Sequence, residues 1–343
     1  MKNNIVIILL VTVFTLMSCA EDEKDFLLLA PEKHDISQKI EFIPFEEDSI
    51  GKPENLLALG DWIIVVEPSS YDGMLNIYNE KTHTYHRLLK KGNAGNEVLN
   101  VSQIGRLNPN AFYIYDNLGN KVFTFSLDQE KDTCMINHIL PMDKYYSFSM
   151  DDSLVVGCLK QGGRYAASNL SGNYFGKIGN YEEYGLPEHV GSALLQGMTT
   201  MNPDKKRLAW FSFYAVDYSI LSYKDSIHLE ILHEKLFRKP EFEVTEGTPF
   251  FLPSSIFGFT SVTSSTENIY VLYNGTSLAD FMKRREEALL SNNICVIDWN
   301  GSFLRSLHSL QPFRCISYNQ DKKRLYGIFY TEEDGYKVGC LDC

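Results

Sequence analysis

Asn202-Pro203-Asp204-Lys205-Lys206-Arg207-Leu208 recurs 117 residues later as Asn319-Gln320-Asp321-Lys322-Lys323-Arg324-Leu325. Each copy is an Asp-bearing turn between two β-rich runs, 197–201 and 208–211 in one case, 313–318 and 325–330 in the other. Asn, Asp and Pro between apolar runs of Val, Ile, Tyr and Phe are the signature of a hairpin. Working outward, the same rhythm returns with other turn residues. Gly60-Asp61 separates 56–59 from 62–66, Asn108-Pro109-Asn110 separates 98–104 from 111–116, and Asp151-Asp152-Ser153 separates 146–150 from 154–158. Ser265-Thr266-Glu267 separates 257–262 from 268–273. Six such units over residues 40–343 average about 51 residues, the length of a four-stranded sheet repeated radially. The reading is all-β: a six-bladed β-propeller over 37–343 with four-stranded blades. Partial three-four spacing of apolar residues over 277–290 predicts one short helix inserted in the fifth unit. The last unit supplies about three strands, and 39–43 is an isolated strand ahead of the first unit. Pairing that strand into the sixth sheet closes the ring and hides an edge.

Composition agrees and excludes alternatives. Of 343 residues 44% are hydrophobic and 22% charged, too apolar for a disordered chain. Seven cysteines in this length do not make a disulfide scaffold. With 44 acids against 32 bases the formal charge is −12, which argues against a nucleic-acid partner.

The N-terminus reads as an address. Residues 5–17 are a nearly unbroken apolar run behind Lys2. Thirteen helical residues reach about 20 Å, short of the ~30 Å hydrocarbon core, so a secretory signal over 1–18 is expected in place of a span. Leu16-Met17-Ser18-Cys19 resembles a bacterial lipobox. The resemblance implies that Cys19 is lipidated and becomes the first residue, held by acyl chains worth about 0.8 kcal/mol per buried CH₂. Losing 1–18 removes one lysine and leaves a formal charge of −13. Ala20, in the place of an Asp, resembles the sorting signal of outer-membrane lipoproteins, and the acids of 21–25 resemble signals for surface display. Residues 19–36 are expected to form an acidic tether. The expected location is the outer membrane, on its surface or facing the periplasm.

Further motifs point to one family. Val296-Ile297-Asp298-Trp299-Asn300-Gly301 and the run 318–330 resemble the TolB-like six-bladed β-propeller lipoproteins of Gram-negative bacteria, whose hairpins carry an apolar-Asp-Trp-x-Gly pattern. Gly92-Asn93-Ala94-Gly95-Asn96-Glu97 is similar to that family's Gly-x-Gly-Pro-x-Glu loop but departs from it at Ala94 and Gly95. The resemblance implies fold and location, and no activity.

No catalytic set, metal site or cofactor site emerges. His83-x-x-His86 lies on a strand, where residues three apart face opposite sides. Cys340-x-x-Cys343 closes a strand and lacks the second pair that a zinc site needs. Cys134, Cys158, Cys295 and Cys315 are single and embedded in strands, as small core fillers are. No Gly-x-Ser-x-Gly is present. Most of the 20 Tyr and 21 Phe alternate along strands, as inter-blade packing requires. The loop Asn180-Tyr181-Glu182-Glu183-Tyr184 is the one expected to face a ligand, through Tyr181 and Tyr184. The expected function is a lipid-anchored, non-enzymatic binding module for a protein or glycan partner in the cell envelope. The alternative is a glycan-directed hydrolase or lyase with its site in the central funnel. Asp, Glu, His and Arg converging from three or more blades would favour the enzyme.

Overall fold

A computed structural model describes residues 26–342, apart from 46–49, 71–72, 182–185, 203 and 225–227. The signal, Cys19, Tyr184 and Cys343 lie outside the described residues. Four blades are separate antiparallel four-stranded sheets that begin with Asn55–Leu59, Val101–Asn108, Tyr145–Met150 and Gly197–Asn202. The fifth and sixth share one long strand, Phe303–Asn319. Its residues 303–308 pair with Ser291–Asp298 as the outer strand of blade five, and its residues 313–319 pair with Arg324–Thr331 as the inner strand of blade six. The expected closure is present: Glu41–Phe42 pairs antiparallel with Gly335–Asp342, and Ile43 N–H donates to Val338 O at 3.0 Å. The N-terminal strand thus completes the sixth blade.

The core is six apolar clusters, one between each pair of neighbouring blades. Trp62, Ile64 and Val66 face Phe112, Ile114 and Phe123 of blade two, whereas Ile63 and Val65 face Tyr326, Ile328 and Val338 of blade six. Alternate residues of one strand therefore bury into opposite interfaces. This is why Trp62–Val66 is apolar throughout and buried at every position, where a sheet with one wet face would alternate. The remaining clusters join blades two to three, three to four, four to five and five to six. At Gly258 a Cβ would fall on the carbonyl of Ala215, so close packing of blade five on blade four requires glycine there.

Three insertions depart from the plain repeat. The helix expected over 277–290 is α2, Leu278–Arg284, continued by a 3₁₀ turn Arg285–Leu289, and Ser277 caps it by accepting from Asp280 N–H at 3.1 Å. Two elements were not expected: helix α1, Glu188–Leu194, and a hairpin of Phe242–Thr245 with Thr248–Phe251. α1 is about two turns of weakly periodic sequence, and the hairpin is too short to stand out beside the blades. The tether reading needs a correction from Phe26 onward. Phe26 is 2% exposed among the rings of Phe237, Phe259, Tyr273 and Phe303, at centroid distances of 4.8, 5.6, 5.4 and 4.9 Å. Lys33–Asp35 runs parallel to Ser306, Leu307 and His308 along the outer edge of blade five. Phe26, Ala30 and Ile36 are apolar side chains whose burial outweighs the solvation of neighbouring charges.

Candidate functional site

The six inner strands run side by side around a central channel. At the end where they begin, here the upper mouth, the channel opens into a cavity of about 790 Å³. It narrows to about 110 Å³ between Ala58, Gly105, Ser149, Thr200, Thr263 and Ser317. It then widens to about 980 Å³ among the hairpin turns at the lower end.

Hydroxyl and amide side chains fill the constriction, because the channel-facing edges of the inner strands have no neighbouring strand. Ser317 Oγ accepts from Ala58 N–H at 2.9 Å, Ser261 Oγ from Ile316 N–H at 3.1 Å, and Thr263 Oγ1 from Tyr318 N–H at 2.8 Å. Thr200 bonds Ser264 at 2.8 Å, and Ser149 donates to Thr199 at 3.1 Å. Gln103 donates to Phe148 O and accepts from Phe148 N–H at 3.3 Å. Backbone groups that would otherwise be stranded in the ring are paired in this way.

Every blade contributes to the upper mouth. Asn55, Ser102, Ser147, Gln196, Thr260 and Arg314 stand at or beside the starts of the six inner strands. Among the described residues its charged lining is Glu54, Lys160 and Arg314. Enclosure raises the Glu54 carboxyl above its ordinary value, while the Arg314 guanidinium opposes that shift. Burial lowers the Lys160 ammonium, whose Nζ donates to Asn120 Oδ1 at 3.1 Å. Ser147, 4% exposed, and Thr260 hold hydroxyls with no hydrogen-bond partner. Tyr146, Phe213 and Tyr214 supply aromatic surface, and Tyr214 is stacked on Phe251 of the inserted hairpin at 4.2 Å. α2 is fixed beside the same rim, with Phe281 against Phe257 at 5.2 Å and Leu278 N–H donating to Ser255 O at 2.7 Å.

The lower mouth has the opposite charge balance. Asp151, Asp152, Asp204 and Glu267 line it, against Arg106 and Lys323. Several of these groups are occupied with turn geometry. Asp151 Oδ1 accepts from Ser153 and Leu154 N–H at 2.9 Å each, Asp152 from Asn108 at 3.0 Å, and Glu267 from Lys205 at 3.4 Å.

The residues singled out from sequence lie elsewhere. Tyr181 is 1% exposed, packed on Gly191 with its hydroxyl 3.4 Å from Cys158 Sγ. It is a core residue between blades three and four, where the expectation was a ligand-facing side chain, because helix α1 folds back over it. His83 sits in a turn at φ +59° with Nδ1 2.7 Å from the Tyr78 hydroxyl, whereas His86 lies against Trp62, so the two do not converge. Cys134, Cys158, Cys315 and Cys340 are free thiols, all buried except half-buried Cys134, and Cys295 is buried as well. Asp298 and Trp299 serve the hairpin itself: Asp298 accepts from Asn300 and Ser302 N–H at 2.8 Å each, and Trp299 Nε1 donates to Ser265 O at 3.1 Å. The mouth residues escaped the sequence reading because each is a single polar residue at a strand start. Superposing the six units and comparing the first few positions of each inner strand is the signal that finds them.

A family model described as TolB-like 6-blade propeller-like matches residues 57–319, well over half of the chain. Among solved structures, Sqt1 of Saccharomyces cerevisiae is 12% identical at a TM-score of 0.43, over 82% of this chain and 71% of its own. BamB from Moraxella catarrhalis is 10% identical at a TM-score of 0.39, over 83% of this chain and 71% of its own. At those values neither likeness carries an argument about function. A search of the curated proteins finds no match.

Proposed function

The chain belongs to the TolB-like six-bladed propeller family, and from that premise we propose a lipid-anchored, non-enzymatic binding module of the bacterial envelope whose partner seats in the upper mouth. The observation that carries this reading is the make-up of that mouth. Five blades present amide, hydroxyl or aromatic side chains, and the sixth presents Arg314 and Ile316, to a cavity of about 790 Å³, within the roughly 300–1,000 Å³ of small-ligand sites. Glu54 is the one carboxylate of its described lining, whereas glycoside hydrolysis commonly employs a carboxyl pair. The lipobox ending in Cys19 and the acidic run behind it support anchoring and an outer-membrane location.

Two experiments test the two halves of the reading. Fatty-acid labelling of wild type and of Cys19→Ala should mark only the former, and equal labelling would end the anchor. For the seat, Gln196→Trp narrows the upper mouth, and Lys323→Ala alters the lower one. Envelope material captured by wild type and by Lys323→Ala should be lost with Gln196→Trp. Retention by Gln196→Trp, or turnover of the captured material, would overturn the proposal.

A further inference from the structure

We propose that the upper mouth takes an acidic saccharide, with the Arg314 guanidinium as receptor for its carboxylate. This rests on the reading of the mouth as a binding seat and names the chemistry it selects. The first observation is charge. The chain as a whole is −12, and its lower mouth is lined by four acids against two bases. The upper mouth reverses that balance, with Lys160 and Arg314 against Glu54. Field lines focused in a low-dielectric cleft draw an anion to this end of the channel and repel it from the other. Arg314 is half-buried and has no hydrogen bond or ion pair among the described residues. Its planar fork of donors fits a carboxylate bidentately.

The second observation is independent of charge. Asn55, Ser102 and Gln196, half-buried or exposed, line the mouth with amide and hydroxyl groups. Hydroxyls and amides both donate and accept, which matches the hydroxyls of a sugar. Tyr146 adds a half-buried ring that makes no ring contact among the described residues, a surface on which a pyranose face can lie. An acidic peptide fits less well. Extended peptides dock on free strand edges, and the inner-strand edges are already engaged at Ala58, Phe148, Ile316 and Tyr318.

Calorimetric titration of the full chain in detergent tests this. The probes are oligogalacturonate, a hyaluronan fragment and sialyllactose, each beside its carboxyl methyl ester, with tri-glutamate as the peptide control. At least one acidic saccharide should bind, with affinity falling as salt rises. Methyl esterification and Arg314→Gln should each weaken it about 10- to 100-fold, and Arg314→Lys should lie between. Asn55→Ala should weaken binding several-fold without lowering the melting temperature, which loss of a purely structural amide would not do. Equal binding of acid and ester with a silent Arg314→Gln overturns the charge assignment and leaves the binding-module reading standing. Tighter binding of tri-glutamate makes the ligand a peptide. Binding of none of the probes overturns the saccharide claim. Retention of envelope capture by Gln196→Trp is the separate result that removes the seat.

Discussion

Asn319 shows why one residue type marks the repeat. Its Oδ1 accepts from Asp321 and Lys322 N–H at 3.1 and 3.2 Å, shaping its own turn, while Nδ2 donates to Gly60 O of the next blade at 2.8 Å. Asn202 does the same, accepting from Lys205 N–H at 3.1 Å and donating to Thr266 O at 2.9 Å. Lys206 and Lys323 take matching positive φ values of 53° and 54°. The repeated heptapeptide was legible because turn and interface both depend on it. Asn319→Ala should therefore cost on the order of 1–3 kcal/mol in denaturant unfolding, because it strands buried backbone groups. A second residue-scale test lies between blades three and four. Arg164, 1% exposed, lies over the rings of Tyr165 and Trp210 and bonds Asp217 at 3.2 Å and Glu234 as well. Burial pushes the Asp217 carboxyl up to about 7, against the pull of Arg164. A folded value above the unfolded one, about 3.9, means that the stabilising protonated form is fully present below about pH 4 and lost as pH rises through about 7. Melting temperatures of wild type and Asp217→Asn should thus diverge in favour of the variant between pH 4 and pH 8. A flat difference would contradict this assignment.

At the scale of elements, the sequence reading succeeded where two constraints coincided. Inner strands bounded by Asn, Asp or Gly turns were found, as was the capped helix at Ser277. Thr133–Pro141, the outer strand of blade two, was not recognised as such. It is mostly exposed, with Met135 at 58%, and lacks the buried pattern that announces a strand. Phe26 opens a short apolar run, 26–30, between acidic residues 21–25 and Pro31, which shows no strand or helix periodicity, and its aromatic surroundings come from blades four and five. Removing that ring should cost about 3–5 kcal/mol of local docking. Limited proteolysis of Phe26→Ala should reveal new cleavage within 26–36, and an unchanged pattern would show that the segment is held by its strand pairing alone. The candidate site was the least legible part. Arg314, Ser147 and Gln196 belong to three different blades, and their convergence is a property of the closed ring.

At the scale of the whole molecule, six interfaces bury six clusters, and each depends on both neighbours. Closure is therefore a cooperative feature, held at one seam by Glu41–Phe42 and Ile43 against the last strand. Ile43→Pro removes the N–H that donates to Val338 O. It should lower the melting temperature and open blade six first, seen as faster amide exchange in 335–342 than in the strands of blades two to four. Uniform loss across all blades would argue that the closing strand carries no local role. The same ring places the upper and lower mouths at opposite ends of one channel, narrowed to about 110 Å³ between them. The most direct measurement of the account is peptide-resolved hydrogen exchange of the full chain with and without the tightest-binding acidic oligosaccharide. The account predicts protection at 100–103, 146–148, 196–199 and 314–316, with the lower turns at 151–153 and 319–323 unchanged. Protection at the lower turns, or at neither end, would contradict it.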